Sequence, residues 1–283
     1  METQKIIIPP IKSQGIKTKL IPLLKNNIKI AHDTLWIEPF LGTGSVVFNL
    51  KPQRAILSDK NQYIISLYKG IQRGMITAAL VREFLEFHGG LLALWGEEYY
   101  KKMRTEFNKN GNPLFFLFLN RADFNGMIRF NRRGEFNVPF CKKKDRFSKA
   151  YITKIVNQVK NISEIMQGKE WTFECTSWEK SFAYATDSSY IYLDPPYIGR
   201  DTSYVGEWTE KEAIKLSEYS HNTEANVCLS MWKESPFRKN QHLFDYWSDF
   251  TWVEQPHFYH VGAKEINRKA VIEVIALKKI RNS

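Results

Sequence analysis

The sequence predicts an α/β fold, in which a mostly parallel sheet is covered by helices on both faces and interrupted by an insertion of roughly 80 residues. Strand and helix patterns alternate over residues 34–71, and the alternation returns from residue 190 onward. Residues 77–149 instead carry helical patterns rich in aromatics and then a hairpin pattern. We therefore assign residues 1–70 and 150–283 to the sheet domain and residues 71–149 to the inserted domain.

The first part of the sheet domain contains two strand–helix units. An apolar strand at residues 35–37 is followed by Pro39 and two glycines, and then by the apolar residues 46–48 of a helix. A second strand at residues 55–57 ends at Asp59, and a helix is predicted over residues 63–71. Two such units in succession favour parallel strands.

The inserted region has a different pattern. Residues 77–123 predict helices, and residues 127–140 alternate as in a hairpin whose turn is Arg133–Gly134. Ser148 is a candidate N-cap for a helix that returns the chain to the sheet domain. The apolar residues of that helix fall on one face: Ile152, Ile155, Val156, Val159 and Ile162.

The last part of the chain resumes the alternation. Residues 190–193 are apolar throughout and predict a buried strand. Thr209 and Glu212 have the spacing of a capping box at the start of a helix. Further strands are predicted at residues 226–231, 250–253 and 270–277.

Positive charge is concentrated in the insertion. The chain carries a net charge of +11, and residues 129–149 contribute eight basic and two acidic residues, or +6 in 21 positions. Four phenylalanines are interleaved with these cations. Such a basic, aromatic segment favours binding to nucleic acid over a diffuse solubilising surface.

Several other classes of protein are disfavoured. The longest apolar run, residues 114–119, is far shorter than the ~20 residues of a membrane span, and the first residues lack the pattern of a signal peptide. Three widely spaced cysteines indicate neither a disulfide framework nor a zinc site, so we expect a cytoplasmic protein. His257-x-x-His260 lacks accompanying ligands and is interpreted as structural rather than as a metal site.

A glycine-rich turn follows the first strand. Gly42 and Gly44 would let the backbone approach a ligand closely. Seventeen positions after Gly42, Asp59 could accept hydrogen bonds from ribose hydroxyls. Val47 occupies the place of a third glycine, which disfavours a pyrophosphate dinucleotide. An ordinary tight turn with a surface aspartate remains the alternative.

Asp194-Pro195-Pro196-Tyr197 follows the buried strand directly. The two prolines fix φ and remove two backbone donors, so the Asp194 carboxylate and the Pro195 carbonyl could form a rigid pair of acceptors for an exocyclic amine. Tyr197 offers a flat face for an extruded base. A proline-rich turn capped by aspartate is the alternative, but its place at the carboxyl end of a central strand favours a ligand site.

In this order, the glycine turn, acid, insertion and Asp-Pro-Pro-Tyr motif resemble the Dam-like (D12 class) adenine-N6 DNA methyltransferases. The similarity runs essentially from end to end and includes residues 12–17, 40–44, 58–61, 106–109, 119–121, 124–131 and 134–140. Residues 9–20, 124–131, 136–143 and 257–263 are most similar to the EcoRV-type modification methyltransferases. The resemblance implies a three-layer S-adenosylmethionine-dependent methyltransferase fold with an inserted DNA-recognition domain.

The resemblance also implies roles for individual residues. Catalysis would depend on Asp194, Pro195 and Tyr197, and Ser177 and Trp178 would line the base pocket. The residues expected to bind S-adenosylmethionine are Ser13, Lys17, Phe40, Gly42, Gly44, Asp59 and Asp194. Ser13 stands where Dam-type enzymes have tryptophan, so the residue that stacks on the cofactor adenine is not identified.

The partner implied is double-stranded DNA, with no required protein partner. Arg129, Arg132, Arg133 and Asn131 could read base edges in the major groove, whereas Lys142, Lys143 and Lys144 suit phosphates or form a solvated face. Phe124, beside Asn125, could enter the base stack or pack in the core. Asn120 and Arg121 complete the DNA-binding candidates.

The Cys141–Lys143 segment and the hairpin of the insertion bear on which nucleic acid sequence is methylated. Cys141-Lys142-Lys143 replaces the Gly-Arg-Tyr of many Dam enzymes, which favours GATATC over GATC and a restriction-modification role. Three rivals remain open: methylation of RNA, methylation of cytosine N4, and a catalytically silent DNA-binding protein. The hairpin favours reading of a duplex over reading of single-stranded RNA.

Overall fold

The computed structural model describes residues 5–198, 208–258 and 270–278. His260 and most of the 257–263 segment lie outside the described residues. The strands are β1 (Leu35–Glu38), β2 (Arg54–Asp59), β3 (Glu170–Cys175), β4 (Tyr190–Leu193), β5 (Asn226–Ser235), β6 (Arg238–Lys239), β7 (Thr251–Phe258) and β8 (Ala270–Lys278).

The helices fall into three groups along the chain. A 3-10 helix (Lys17–Leu20) precedes α1 (Ile21–Asn27), α2 (Val47–Leu50) and α3 (Gln62–Gln72). The insertion contains α4 (Ala78–Trp95), α5 (Glu97–Asn110) and α6 (Pro113–Ala122), and is followed by α7 (Lys149–Met166). The remaining helices are α8 (Trp178–Phe182), α9 (Glu210–Asn222) and α10 (Gln241–Tyr246). None of the helices in the described residues has both the length and the apolar character that a membrane span requires.

The strand order is β3-β2-β1-β4-β5-β8-β7, with β6 paired to β5. The strands from β3 to β5 are parallel, and β8 runs antiparallel to both β5 and β7. The predicted mostly parallel sheet is therefore confirmed. β3 was not predicted, and β5 extends four residues beyond the predicted strand.

Both faces of the sheet are covered. Trp36 and Tyr192 belong to one hydrophobic core, whereas Ile37, Ile191 and Leu193 belong to the other. Successive side chains of a strand point to opposite faces, so neighbouring residues enter different cores. This is the three-layer arrangement that the sequence predicts.

The insertion packs onto one of these faces without a separate core. Phe107, Phe116 and Val138 belong to the same core as Leu57 of β2. Ser148 caps α7 as predicted, and Thr77 and Asn112 cap α4 and α6: each side chain accepts a hydrogen bond from a backbone N–H of the first turn. The division at residues 71–149 stays a prediction.

The predicted hairpin is present as a chain reversal but not as two regular strands. Between residues 123 and 140 there are two isolated antiparallel bridges, Asp123–Phe140 and Phe130–Phe136. A side chain replaces part of the missing strand pairing. The Asn108 amide forms hydrogen bonds with both the N–H and the carbonyl of Phe136. Gly134, at a φ of 77°, closes the turn as predicted.

Candidate active site

One cavity of about 250 Å³ opens at the carboxyl ends of β1, β2 and β4. Parallel α/β sheets place their ligand sites at this edge. The cavity brings together residues distant in sequence: Ser13, Lys17, Phe40, Gly42, Asp59, Trp178, Asp194, Pro195 and Tyr197. Nine of the predicted cofactor, catalytic and pocket residues therefore line one cavity.

The glycine turn and the acid are joined directly. The backbone N–H of Gly42 donates to Asp59 Oδ2 at 2.8 Å, and that of Asn61 donates to Asp59 Oδ1 at 2.8 Å. Asn61 then caps α3, because its side chain accepts from the N–H of Tyr63 and Ile64. These bonds fix the carboxylate of Asp59 at the cavity wall.

The two glycines have different roles. Gly42 has a φ of 49° and lines the cavity, and a Cβ built there would meet nothing within 4 Å. Gly44 has a φ of 71°, and its Cβ would lie 2.6 Å from the Phe48 ring. Gly44 is not among the cavity-lining residues. Its predicted place in the cofactor cradle is thus indirect, through close packing of the turn on α2.

The Asp-Pro-Pro-Tyr motif is tied to the N-terminal segment by an ion pair. Lys17 Nζ lies 2.7 Å from Asp194 Oδ1, and the Lys17 side chain is 8% exposed. Ser230 Oγ of β5 also donates to Asp194 Oδ1, at 3.1 Å. Lys17 Nζ lies 5.5 Å from the centre of the Tyr197 ring. Lys17, predicted to contact the cofactor, therefore also holds Asp194 in place, the aspartate predicted to be catalytic.

Burial shapes the ionisation of this site. Burial raises the pKa of Asp194, although Lys17 and Ser230 act in the opposite direction. Burial would lower the pKa of Lys17, but the nearby Asp194 carboxylate overrides it and keeps that pKa above its ordinary value. A third acid, Glu38, is buried at the end of β1 and accepts from Trp36 Nε1 at 2.9 Å. Burial raises the pKa of Glu38 to about 8.

Aromatic side chains form the remaining wall. Phe40 meets Trp208 edge to face, with ring centres 5.5 Å apart, and both line the cavity. Trp178 is buried, and its Nε1 donates to Glu212 Oε2 at 3.1 Å. The backbone N–H of Glu212 bonds Thr209, so one half of the predicted capping box is present. Ser177 does not line the cavity, and its side chain bonds Glu179 instead.

Two predicted DNA-binding residues are structural, and that prediction is wrong. Asn120 is fully buried, and its amide bonds both the N–H and the carbonyl of Lys12, at 2.8 and 2.9 Å. Arg121 is 2% exposed, donates to the Pro10 carbonyl at 3.0 Å and lies over the Tyr151 ring. Both side chains fasten the N-terminal segment onto α6 and cannot reach a duplex.

Two further candidates are engaged within the hairpin. Arg129 donates from Nε to Asn137 Oδ1 at 2.8 Å and from Nη2 to the Asn137 carbonyl at 3.1 Å. Asn131 Oδ1 accepts from the N–H of Arg133 and Glu135, and its Nδ2 donates to Glu135. In this structure both side chains brace the turn, so neither is presented as a reader of base edges.

The other DNA-binding candidates are exposed. Phe124 is 51% exposed, so the alternative interpretation that it packs in the core is wrong. Asn125 is exposed and adopts a left-handed φ of 62°, in the turn that follows α6 and includes the buried Gly126. Arg132 and Arg133 occupy the hairpin turn, and Lys142, Lys143 and Lys144 follow it in an exposed run. These seven residues stay candidates for contact with DNA.

The structure adds site residues that the sequence did not single out. Glu38, Asn61 and Trp208 line the cavity, and Ser230 bonds Asp194. Glu38 lies two residues before the 40–44 segment and Asn61 lies within the 58–61 segment, so their proximity to predicted site residues was a usable signal. Nothing in the sequence around Ser230 or Trp208 indicates a site residue. Each reaches the site only through the tertiary fold, Ser230 because β5 pairs with β4.

Comparison with known proteins gives one consistent result. The model of the family described as "D12 class N6 adenine-specific DNA methyltransferase" matches residues 13–261. The DNA adenine methylase of Escherichia coli (strain K12) is 39% identical over 166 residues, which cover 57% of this chain and 55% of that protein. The type II methyltransferase M.MjaIII of Methanocaldococcus jannaschii is 29% identical over 237 residues, covering 75% of this chain and 78% of the relative. The DNA adenine methylase of Vibrio cholerae serotype O1 is 30% identical over 234 residues, covering 78% of each.

Proposed function

This chain belongs to the D12 class of N6 adenine-specific DNA methyltransferases, and we propose that it transfers a methyl group from S-adenosylmethionine to N6 of adenine in duplex DNA. The observation that carries the proposal is the anchored Asp194 in the cavity of the glycine turn. The matched segment spans little more than half of the Escherichia coli relative.

The cavity fits S-adenosylmethionine, the methyl donor that membership of this family implies. Asp59 and Asp194 place two carboxylates in its lining, which suits a ligand bearing a sulfonium and an ammonium group. The buried Asn61 Nδ2 has no hydrogen-bond partner in the described residues, so it can still donate to a ligand. Open space beside Gly42 leaves room for a ligand against the turn. Lys17, Phe40 and Asp59 would help to hold the cofactor, with Ser13 at the rim.

Asp194 and Pro195 would hold the target amine. Both hydrogen bonds found for the Asp194 carboxylate in the described residues, from Lys17 and Ser230, go to Oδ1. Oδ2 can therefore accept from the amine while Oδ1 keeps the carboxylate from rotating. With the Pro195 carbonyl as the second hydrogen-bond acceptor, the lone pair of the amine nitrogen would point toward the methyl donor.

The chemistry requires orientation more than acid–base catalysis. S-adenosylmethionine would supply a methyl group that is already activated on a sulfonium. The amine nitrogen would bond to the methyl carbon as the carbon–sulfur bond breaks, the neutral thioether would leave, and the nitrogen would then lose a proton. Asp194 would stabilise the positive charge that develops on nitrogen. The aromatic walls, including Phe40 and Trp208, would exclude water from the reacting groups.

The target adenine would have to leave the base stack. The Asp194 side chain is only 22% exposed at the base of the cavity, beyond reach of a base paired within a duplex. Tyr197 would stack on the flipped adenine beside Trp178. Phe124, exposed on its bend, would fill the gap in the duplex.

The insertion would select the sequence. Arg132 and Arg133 at the hairpin turn suit guanine edges, and the Lys142–Lys144 run suits phosphates. The EcoRV-type pattern of residues 136–143 supports GATATC over GATC as the target, within a restriction-modification system of the cytoplasm.

A methyl-transfer assay with competing substrates tests the proposal. Purified protein and tritiated S-adenosylmethionine would be given duplexes with GATATC or with GATC alone, single-stranded DNA and structured RNA. We expect label chiefly in the GATATC duplex, and plasmid from cells expressing the chain should resist a nuclease that cleaves GATATC. Preferential label in RNA, or no transfer together with no cofactor binding by calorimetry, would refute the proposed function.

A further inference from the structure

A second basic and aromatic element lies on the other side of the cavity from the insertion. It is the hairpin of residues 232–240, which consists of the end of β5, a Pro236–Phe237 turn and β6. This 232–240 hairpin carries three basic residues and one acidic residue. It makes no contribution to the cavity described above.

The register of the sheet places the 232–240 hairpin beyond the carboxyl ends of the parallel strands, the edge at which the cavity opens. The last residue of β4, Leu193, pairs with Leu229, and β5 continues for six residues to Ser235. At ~3.3 Å per residue this extension is about 20 Å long. An irregularity between Trp232 and Glu234 changes its course. The turn thus projects beyond the edge at which the Asp-Pro-Pro-Tyr motif begins.

The base of the hairpin adjoins that motif directly. Trp232 and Asn240 share a small cleft with Pro195, Pro196 and Tyr197. Asn240 closes the base, because its Nδ2 donates to the Trp232 carbonyl and its N–H to the Lys233 carbonyl, both at 2.8 Å. The turn is therefore supported rather than loose.

The tip presents charge and an apolar ring. Phe237 is 75% exposed, more than any other large hydrophobic side chain in the described residues. Arg238 lies over the Trp232 ring, 4.9 Å from its centre, and Lys239 is exposed. In the part of the chain described, no carboxylate lies within ion-pair distance of Arg238 or Lys239, whereas Lys233 is paired with Glu254 at 2.5 Å. Two cations are thus presented outward.

The insertion and the 232–240 hairpin flank the cavity from opposite sides. α3, which packs on β2 and β3, also contacts α6 and α7 at the edge of the insertion. β5 lies on the opposite side of β4 in the strand order. A duplex that presents a base to Asp194 would extend over both elements.

We propose that the 232–240 hairpin is a second DNA-binding element, in which Arg238 and Lys239 bind phosphates beside the target base and Phe237 packs against the sugar and base edge there. The inference rests on the proposed function, since it requires a duplex at the cavity. Cations without acidic partners suit phosphates, and a supported aromatic tip suits stacking.

Salt-dependent binding tests this element. The probe is a fluorescein-labelled duplex with one GATATC site, and the variant is Arg238→Ala/Lys239→Ala. Loss of two phosphate contacts should reduce the slope of log Kd against log salt by about 1.8, at about 0.9 per contact. Lys239→Ala, which keeps the packing of Arg238 on Trp232, should reduce it by about 0.9. Phe237→Ala should weaken binding about 5-fold or more with the slope unchanged.

A matched control removes the same charges elsewhere. Arg54→Ala/Lys169→Ala replaces one arginine and one lysine at the amino ends of β2 and β3, the edge away from the cavity. The control should keep the wild-type slope. An unchanged slope in both hairpin variants would overturn the inference and leave the proposed function standing. Failure of the wild-type protein to bind the duplex would overturn both.

Discussion

The sheet edge that lines the cavity and the predicted insertion of residues 71–149 use their polar side chains in opposite ways. At the edge, Asp59 and Lys17 are buried and Asp194 is half-buried, and all three are fixed by hydrogen bonds at 2.7–3.1 Å. In the insertion, the cations Arg132, Arg133 and Lys142–Lys144 are exposed. Fixed groups suit the orientation of one amine, and exposed cations suit a partner that arrives from solvent. The comparison indicates that chemistry and DNA affinity can be separated by mutation.

The largest expected effect is on chemistry alone. Asp194→Ala removes the acceptor for the amine and should reduce kcat about 10³-fold, as loss of a preorganised transition-state contact does. Affinity for the duplex should be unchanged, since Asp194 lines the cavity and its side chain is only 22% exposed. Tritiated methyl transfer and fluorescence anisotropy measure the two quantities.

The control for that experiment is Asp187→Ala, which removes an exposed carboxylate from the loop before β4. It should retain full turnover. Full turnover by the Asp194 variant would remove the motif from the mechanism.

The next effect is on affinity alone. Replacing Lys142, Lys143 and Lys144 with alanine should lower the slope of log Kd against log salt by about 2.7, at about 0.9 per phosphate contact. The kcat at saturating DNA should not change, because none of these lysines lines the cavity. A wild-type slope would show that the run is only a solvated face.

A smaller effect separates buried from exposed residues within the insertion. Asn120→Ala leaves the N–H and carbonyl of Lys12 without their partner and should lower the free energy of unfolding by about 1–3 kcal/mol. Asn125→Gly, which tolerates the left-handed φ, should leave stability nearly unchanged. Urea denaturation measures both. Equal stability of the two variants would contradict a structural role for Asn120.

The last effect concerns pH. Burial raises the pKa of Glu38 and of Asp123 to about 8, one in each region. Each folded carboxyl holds a proton that the unfolded chain has released above its ordinary pKa. The contribution of each carboxyl to the free energy of unfolding is therefore complete at acid pH. It is lost as pH rises from the ordinary carboxyl pKa to about 8, at about 1.4 kcal/mol per pH unit for each group.

Glu38→Gln and Asp123→Asn should each reduce the slope of the free energy of unfolding against pH by about 1.4 kcal/mol per pH unit. The amide oxygen introduced by Glu38→Gln would still accept from Trp36 Nε1, so the packing at β1 is preserved. Urea denaturation at several values of pH measures the slope. A wild-type slope in both variants would show that these carboxyls are not protonated in the folded state.

Local sequence patterns predicted the cavity-lining edge of the sheet better than the insertion. Lys17, Asp59 and Asp194 were each predicted from motifs, and strand order brings them together as expected. β3 was missed because only Trp171 and Phe173 alternate among polar residues at that edge of the sheet. Asn120 and Arg121 were misassigned, since a polar residue beside a motif gives no sign of whether it faces solvent. The N-terminal segment that buries them lies more than a hundred residues away in sequence.

The central claim is that the Asp194–Pro195 pair presents the N6 amine of adenine to the methyl donor. It is tested most directly by nucleoside analysis of duplex DNA after incubation with S-adenosylmethionine labelled with deuterium on the methyl group. We predict that the label appears in N6-methyldeoxyadenosine and disappears when Asp194 is replaced by alanine. Label in N4-methyldeoxycytidine, or label that survives the substitution, would contradict the claim.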